Sequence, residues 1–170
     1  MSHTVSVLVE NRPGALARVS NLFARRGFNI ESLAVGPTER HDVSRITLTV
    51  ECPSHEVEQI EKQMHKLVNV LRVSTLEAGE AIERELALIK VSAPPGRRPE
   101  LMALADVFNA RVADLGPDSL IFEIVGAPEE LESFEELVRP HGLKELARTG
   151  RIGLARASTS RNRRPQHVLR

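Results

Sequence analysis

The chain contains one cysteine, no tryptophan, no tyrosine and five phenylalanines in 170 residues. The single thiol, Cys52, excludes an intrachain disulfide and any cysteine-cluster metal site, and it is expected as a buried thiol in a reducing cytoplasm. With aromatics at 3 %, the stacking platforms on which single-strand nucleic-acid binders depend are missing. Charge of one sign is missing too: Lys+Arg and Asp+Glu are each 23, so no global field for a polyanion exists. No apolar run approaches the ~18 residues of a membrane span, and Met1, Ser2 and His3 lead directly into a strand-like pattern. Neither a membrane anchor nor a secretory leader is expected. Motifs of catalysis are absent as well, with no G-x-S-x-G, P-loop, G-x-G-x-x-G or H-E-x-x-H. The six histidines include no i, i+4 pair that would grip a metal from one helix face. No catalytic residue and no metal ligand is assigned, and the chain is not expected to be an enzyme in its own right.

What is present is a 41 % hydrophobic fraction, enough for a packed core, arranged in a pattern that occurs twice. Residues 4–10 (TVSVLVE) alternate as a half-buried strand does. A turn at Asn11, Arg12, Pro13 and Gly14 follows, with the proline placed where a helix starts. Leu16, Val19, Leu22 and Phe23 stripe one helix face, ending near Gly27. Strands are read over 29–36 and 44–50, the second in strict alternation, and Ser54 is a candidate N-cap for a helix striped by Val57, Ile60, Met64 and Leu67. A strand over 68–76 completes a β-α-β-β-α-β unit.

About eighty residues on, the series restarts. Strand 85–92 and a Pro94, Pro95, Gly96 turn lead to a helix striped by Leu101, Leu104, Ala105 and Phe108. A hairpin turns at Gly116, Pro117 and Asp118; a helix opens at Pro128 with Leu131, Phe134, Leu137 and Val138; and a strand spans 143–149. The expected fold class is α+β, two tandem ferredoxin-like domains: 3–77, a linker at 78–84, a second domain over 85–157, and a basic flexible tail at 158–170. Glutamates at 129, 130, 132, 135 and 136 fit the solvated face and first turn of the last helix, where carboxylates complement the dipole.

One place carries the chemistry of recognition. A helix N-terminus bares unpaired N–H groups and about half a positive charge, which favours a carboxylate. At 11–16 (NRPGAL), Gly14 lets a ligand approach the main chain, and Asn11 offers both an acceptor and a donor to an α-amino acid. Ordinary capping and turn chemistry would use the same residues.

Residues 13–38 (PGALARVSNLFARRGFNIESLAVGPT), with 44–47 (SRIT), 59–68 (QIEKQMHKLV) and 83–86 (EREL), closely resemble the ACT domain of the acetolactate (acetohydroxyacid) synthase small regulatory subunits. The likeness is specific over 3–92 and looser over 93–157. It implies a non-catalytic, cytoplasmic partner of the large catalytic subunit in branched-chain amino-acid biosynthesis, whose own cofactors are thiamine diphosphate, Mg and FAD. It further implies a homodimer through the ACT domains, with valine or a related branched-chain amino acid held between Asn11, Gly14, Ala15 and Leu16 of one chain and Asn29 and Ile30 of the other. Activation of the catalytic subunit and feedback inhibition by valine are the expected functions. The second helix, with Gln59 and Gln63, and the C-terminal domain are candidate surfaces for the catalytic subunit. A free-standing ACT-type sensor of another enzyme or of transcription is the alternative.

Overall fold

A computed structural model describes residues 1–158. The basic tail expected at 158–170 lies outside them, apart from Ser158. The chain divides into two compact units, Met1–Ile82 together with the segment from Arg151, and Glu83–Gly150. Each holds one βαββαβ set, which makes the fold α+β with two antiparallel ferredoxin-like sheets.

In the first unit the strands are β1 (Ser2–Glu10), β2 (Ile30–Pro37), β3 (Val43–Glu51) and β4 (Val70–Leu76), in spatial order β2-β3-β1-β4. Helices α1 (Ala15–Arg25) and α2 (Ser54–Met64) supply the crossovers. Antiparallel partners share a face, so Val5 opposite Leu48 and Val7 opposite Ile46 form one apolar surface beneath the helices. Val19 and Phe23 of α1 and Val57, Ile60 and Met64 of α2 close the core on that surface.

Two local expectations shift by a residue. Ala15, not Leu16, begins the buried stripe of α1, and Leu16 is left 39 % exposed. The N-cap is Gly14 at φ +85°, so Pro13 precedes the helix rather than starting it. In α2 the N-cap is Pro53 in extended conformation, and Ser54 is the first helical residue, its hydroxyl directed to Met1 Sδ at 3.8 Å instead of to its own helix.

A larger departure concerns the far side of this sheet. In a half-buried strand the alternate polar positions Thr4, Ser6, Thr47 and Thr49 would face solvent, yet they are 4, 5, 2 and 1 % exposed. Part of the cover comes from the chain's own end. The Arg151 amide donates to Ser32 Oγ at 2.6 Å and its guanidinium to Thr4 Oγ1 at 3.4 Å, while Arg45 donates to Ser6 Oγ at 2.9 Å. Arg151 leads into β9 (Ile152–Ala155), a strand not expected from the sequence. Short, and flanked by arginines, it offers too few alternating positions to be recognised.

The second unit contains β5 (Ala81–Ser92), α3 (Arg98–Val107), β6 (Arg111–Leu115), β7 (Ser119–Gly126), α4 (Pro128–Val138) and β8 (Leu143–Arg148), in order β6-β7-β5-β8. Residues 81–84 are strand where a linker was read. The core gathers Ile89, Val91, Leu101, Ile124 and Leu131 around Phe134, which meets Phe122 edge-to-face at 5.6 Å between centroids. Leu137 does not join the α4 stripe and is 46 % exposed, Val138 being buried in its place.

Candidate ligand-binding turn

The turn between β1 and α1 is held by Asn11. Its backbone N–H donates to Asp42 O at 2.8 Å and its side-chain Nδ2 to His41 O at 3.1 Å, both in the β2–β3 loop. That loop is itself braced. Arg40 pairs with Asp42 at 2.7 Å, and the hydrogen bond holds the Asp42 carboxyl below its ordinary range. Asn11 is therefore half committed: one amide hydrogen is used, whereas Oδ1 accepts nothing among the described residues.

Past Asn11 the backbone swings through the left-handed region at Gly14, where any side chain would be strained and where a Cβ would meet nothing within 4 Å. The turn is thus open above Gly14. Ala15 N–H reaches Arg12 O at 3.3 Å and Arg18 N–H reaches Gly14 O at 3.1 Å. Between them, the amides of Leu16 and Ala17 find no acceptor among the described residues, and no side chain caps the helix. With no acidic residue in the first turn, the positive end of α1 is left uncompensated. Ala15 lies in the core and Leu16 points outward, an exposed aliphatic group beside bare donors.

Asn29 and Ile30 belong elsewhere in the same chain. Ile30 opens β2 opposite Val50, which in turn faces His3 at the start of β1. The Asn11 turn follows Glu10, at the other end of the sheet beside Val43. A strand rises ~3.3 Å per residue, so the length of β2 separates the two groups by about 20 Å. One chain does not bring its own six candidates together. Asn29 is exposed and makes no hydrogen bond among the described residues, and β2 is a sheet edge whose Leu33 and Val35 are 37 and 48 % exposed.

No group of three or more His, Cys, Asp or Glu capable of holding a metal occurs among the described residues. Cys52 is buried, and its burial pushes the thiol's pKa up. Among the described residues no helix is long and apolar enough to cross a membrane.

Comparison with known proteins agrees over both units. Residues 5–72 match the model of the AHAS small subunit-like ACT domain, and residues 84–157 that of the small subunit of acetolactate synthase. A probable acetolactate synthase small subunit of Archaeoglobus fulgidus is 50 % identical over 158 residues, 93 % of this chain and 99 % of the relative. The acetolactate synthase small subunit of Mycolicibacterium smegmatis is 46 % identical over 155 residues, 91 % of each chain. Among solved structures, the acetolactate synthase small subunit of Thermotoga maritima superposes with a TM-score of 0.84 at 40 % identity, covering 92 % of this chain and 98 % of the other. With its tandem units and its bare ACT turn, the chain belongs to the acetolactate synthase small-subunit family.

Proposed function

We propose that this chain is the non-catalytic regulatory subunit of a cytoplasmic acetolactate synthase: it activates the large catalytic subunit and confers feedback inhibition by valine. Thiamine diphosphate, Mg and FAD are the catalytic partner's cofactors. Valine binds between two copies of the chain, its carboxylate on the bare amides at the start of α1, its ammonium on Asn11 Oδ1 and the mate's Asn29, and its isopropyl group against Leu16 and the mate's Ile30.

The observation that carries this reading is the separation of the two half-sites along β2. Antiparallel pairing of two β2 edges reverses one strand on the other, so the Asn29 end of the mate comes to the turn end of this chain. The same pairing satisfies an exposed, partly apolar edge strand, which otherwise invites uncontrolled association. Burying the isopropyl group contributes roughly 1.5–3 kcal/mol, and charge-assisted bonds add about 1.5–3 kcal/mol each before ordering costs. Feedback needs a coupling of only about 1–3 kcal/mol between this site and the catalytic subunit, and a ligand shared by two chains supplies it by biasing their pairing geometry.

Calorimetric titration of the purified chain with valine tests the proposal, followed by addition of the same chain to the catalytic subunit. The expected outcome is saturable binding at one valine per turn, stimulated acetolactate formation, and loss of that stimulation as valine is raised. A chain that stimulates but ignores valine, leucine and isoleucine alike removes the feedback role and leaves activation standing.

A further inference from the structure

The described surface holds a second feature that the valine site does not use. Along α1, Arg18, Leu22 and Arg25 follow at i, i+4 and i+7, on one helix face. With Arg26, and with Lys66 and Leu67 just beyond α2, they line a groove of about 470 Å³ between the two helices. Its floor is apolar, because Leu22 and Leu67 are half-buried and pack on the core. Its walls are cationic. None of the four basic groups makes an ion pair with another described residue, and no Asp or Glu lines the groove. In a chain with no net charge, such segregation is local.

Helix-dipole compensation explains part of this. Arg25, Arg26 and Lys66 sit at helix C-terminal ends, where cations are stabilising. Arg18, in the first turn, sits where a cation is unfavourable, so compensation does not account for it. Arg18 and Arg25 are about 10 Å apart along the axis at 1.5 Å per residue. A single compact phosphate group would not span that distance, and helix C-termini offer it carbonyls rather than backbone N–H donors. Carboxylates spaced along a peptide, with an aliphatic side chain between them, match both the walls and the floor.

We propose that this groove docks an acidic, aliphatic-bearing segment of the acetolactate synthase catalytic subunit. The inference rests on the regulatory reading above and gives it a contact surface; Gln63, at the rim, belongs to the second-helix face expected to meet that subunit. Charges of this kind act chiefly on association and on its salt dependence.

The test uses full-length chain and purified catalytic subunit. Arg25→Glu/Lys66→Glu is compared with wild type in direct binding and in the concentration giving half-maximal stimulation, at low and moderate salt. The variant is expected to need at least about tenfold more chain and to lose the salt response of wild type. Valine binding by the isolated variant is expected to stay unchanged, because Arg25 and Lys66 lie at the C-terminal ends of α1 and α2, away from the Gly14 turn. Arg25→Gln/Lys66→Gln serves if the reversal unfolds, and is expected to show a smaller shift in the same direction. Variants that engage as tightly as wild type, with the same salt response, overturn the groove while the regulatory reading survives. A wild-type chain that never engages the catalytic subunit overturns both. Inorganic tripolyphosphate provides the remaining arm: tight binding lost in the variant, with affinity for the catalytic subunit intact, reassigns the groove to a phosphorylated small molecule and ends the proposal.

Discussion

The two units place the same junction under opposite regimes. In the first, Asn11 N–H donates to Asp42 O across to the β2–β3 loop at 2.8 Å; in the second, Ala93 N–H donates to Asp118 O across to the β6–β7 hairpin at 2.9 Å. Each junction continues into a Pro-Gly pair, Pro13-Gly14 and Pro95-Gly96. There the likeness stops. Gly14 is left-handed and opens directly onto α1, whereas Gly96 lies within a 3-10 turn, Pro95–Arg97, that runs on into α3. In the second unit Arg98 folds back, its guanidinium donating to Ala93 O at 3.0 Å, to Gly116 O at 2.9 Å and to Pro117 O. One copy of the motif has its turn tied shut by its own arginine. The other, held by a smaller Asn11 tether, keeps donors unspent. On the proposed reading, a ferredoxin-like unit binds effector by leaving a structural bond unmade, and its sister closes the same turn by making it.

The largest effect expected from breaking this comparison is at Gly14. Gly14→Asp puts a carboxylate where the proposed effector's own would sit, and with one charge-assisted bond lost, valine affinity is expected to fall by about ten- to a hundredfold. The left-handed φ adds a fold penalty of about 1–2 kcal/mol, so Gly14→Asn, which tolerates that region and carries no charge, isolates the electrostatic part. Calorimetry on both variants reads the difference; unchanged affinity in Gly14→Asp would show that the turn is not the site.

Arg98 comes next. Arg98→Ala removes three bonds from a charged donor to main-chain carbonyls and is expected to destabilise the second unit by about 1.5–3 kcal/mol in a denaturant titration, leaving valine binding intact. Lysine does not rescue it, because a single ammonium cannot reproduce the planar fork. Full stability in Arg98→Ala would mean that the closed turn owes nothing to its arginine.

Asn29→Ala sharpens the first half of the contrast. Asn29 is exposed and without a hydrogen bond among the described residues, so its loss is expected to leave the melting temperature where it is. If it contacts effector across a dimer, the inhibitory valine concentration rises several-fold, the equivalent of about 1 kcal/mol for one hydrogen bond. A large fall in melting temperature would instead make it a structural residue.

Both βαββαβ sets were legible because their cores obey simple periods: two in β1 and β3, and three-to-four in α2, whose Val57, Ile60 and Met64 are all buried. Legibility failed where tertiary context overrode the pattern. Thr4, Ser6, Thr47 and Thr49 hold the polar positions of their strands, but alternation reports polarity, not cover, and the cover includes Arg151, about 100 residues or more away in sequence. At the candidate site, the bare turn at 11–16 was readable from Gly14 and the helix start. That one chain holds its two half-sites at opposite ends of a strand was not, since register is a property of the folded sheet.

The smallest expected effect tests whether the units also differ at their second helices. Pro53 and Ala127 are the matching N-caps, both extended, so Cys52 and Gly126 occupy equivalent places. In the second unit Glu130 reaches back to the Ala127 N–H at 2.7 Å; in the first, α2 has no side-chain cap. A Cβ on Gly126 would lie 2.5 Å from Glu130 Oε2, so this glycine is the space that the cap requires, whereas a thiol fills the corresponding position in the first unit. Gly126→Ala is expected to displace Glu130 and cost about 0.5–1 kcal/mol, the worth of an exposed cap. Glu130→Ala costs a similar amount, and the double variant little more than either alone, because each removes the same bond. Strict additivity in chemical denaturation would mean that the two residues act separately and that the glycine serves some need other than the cap.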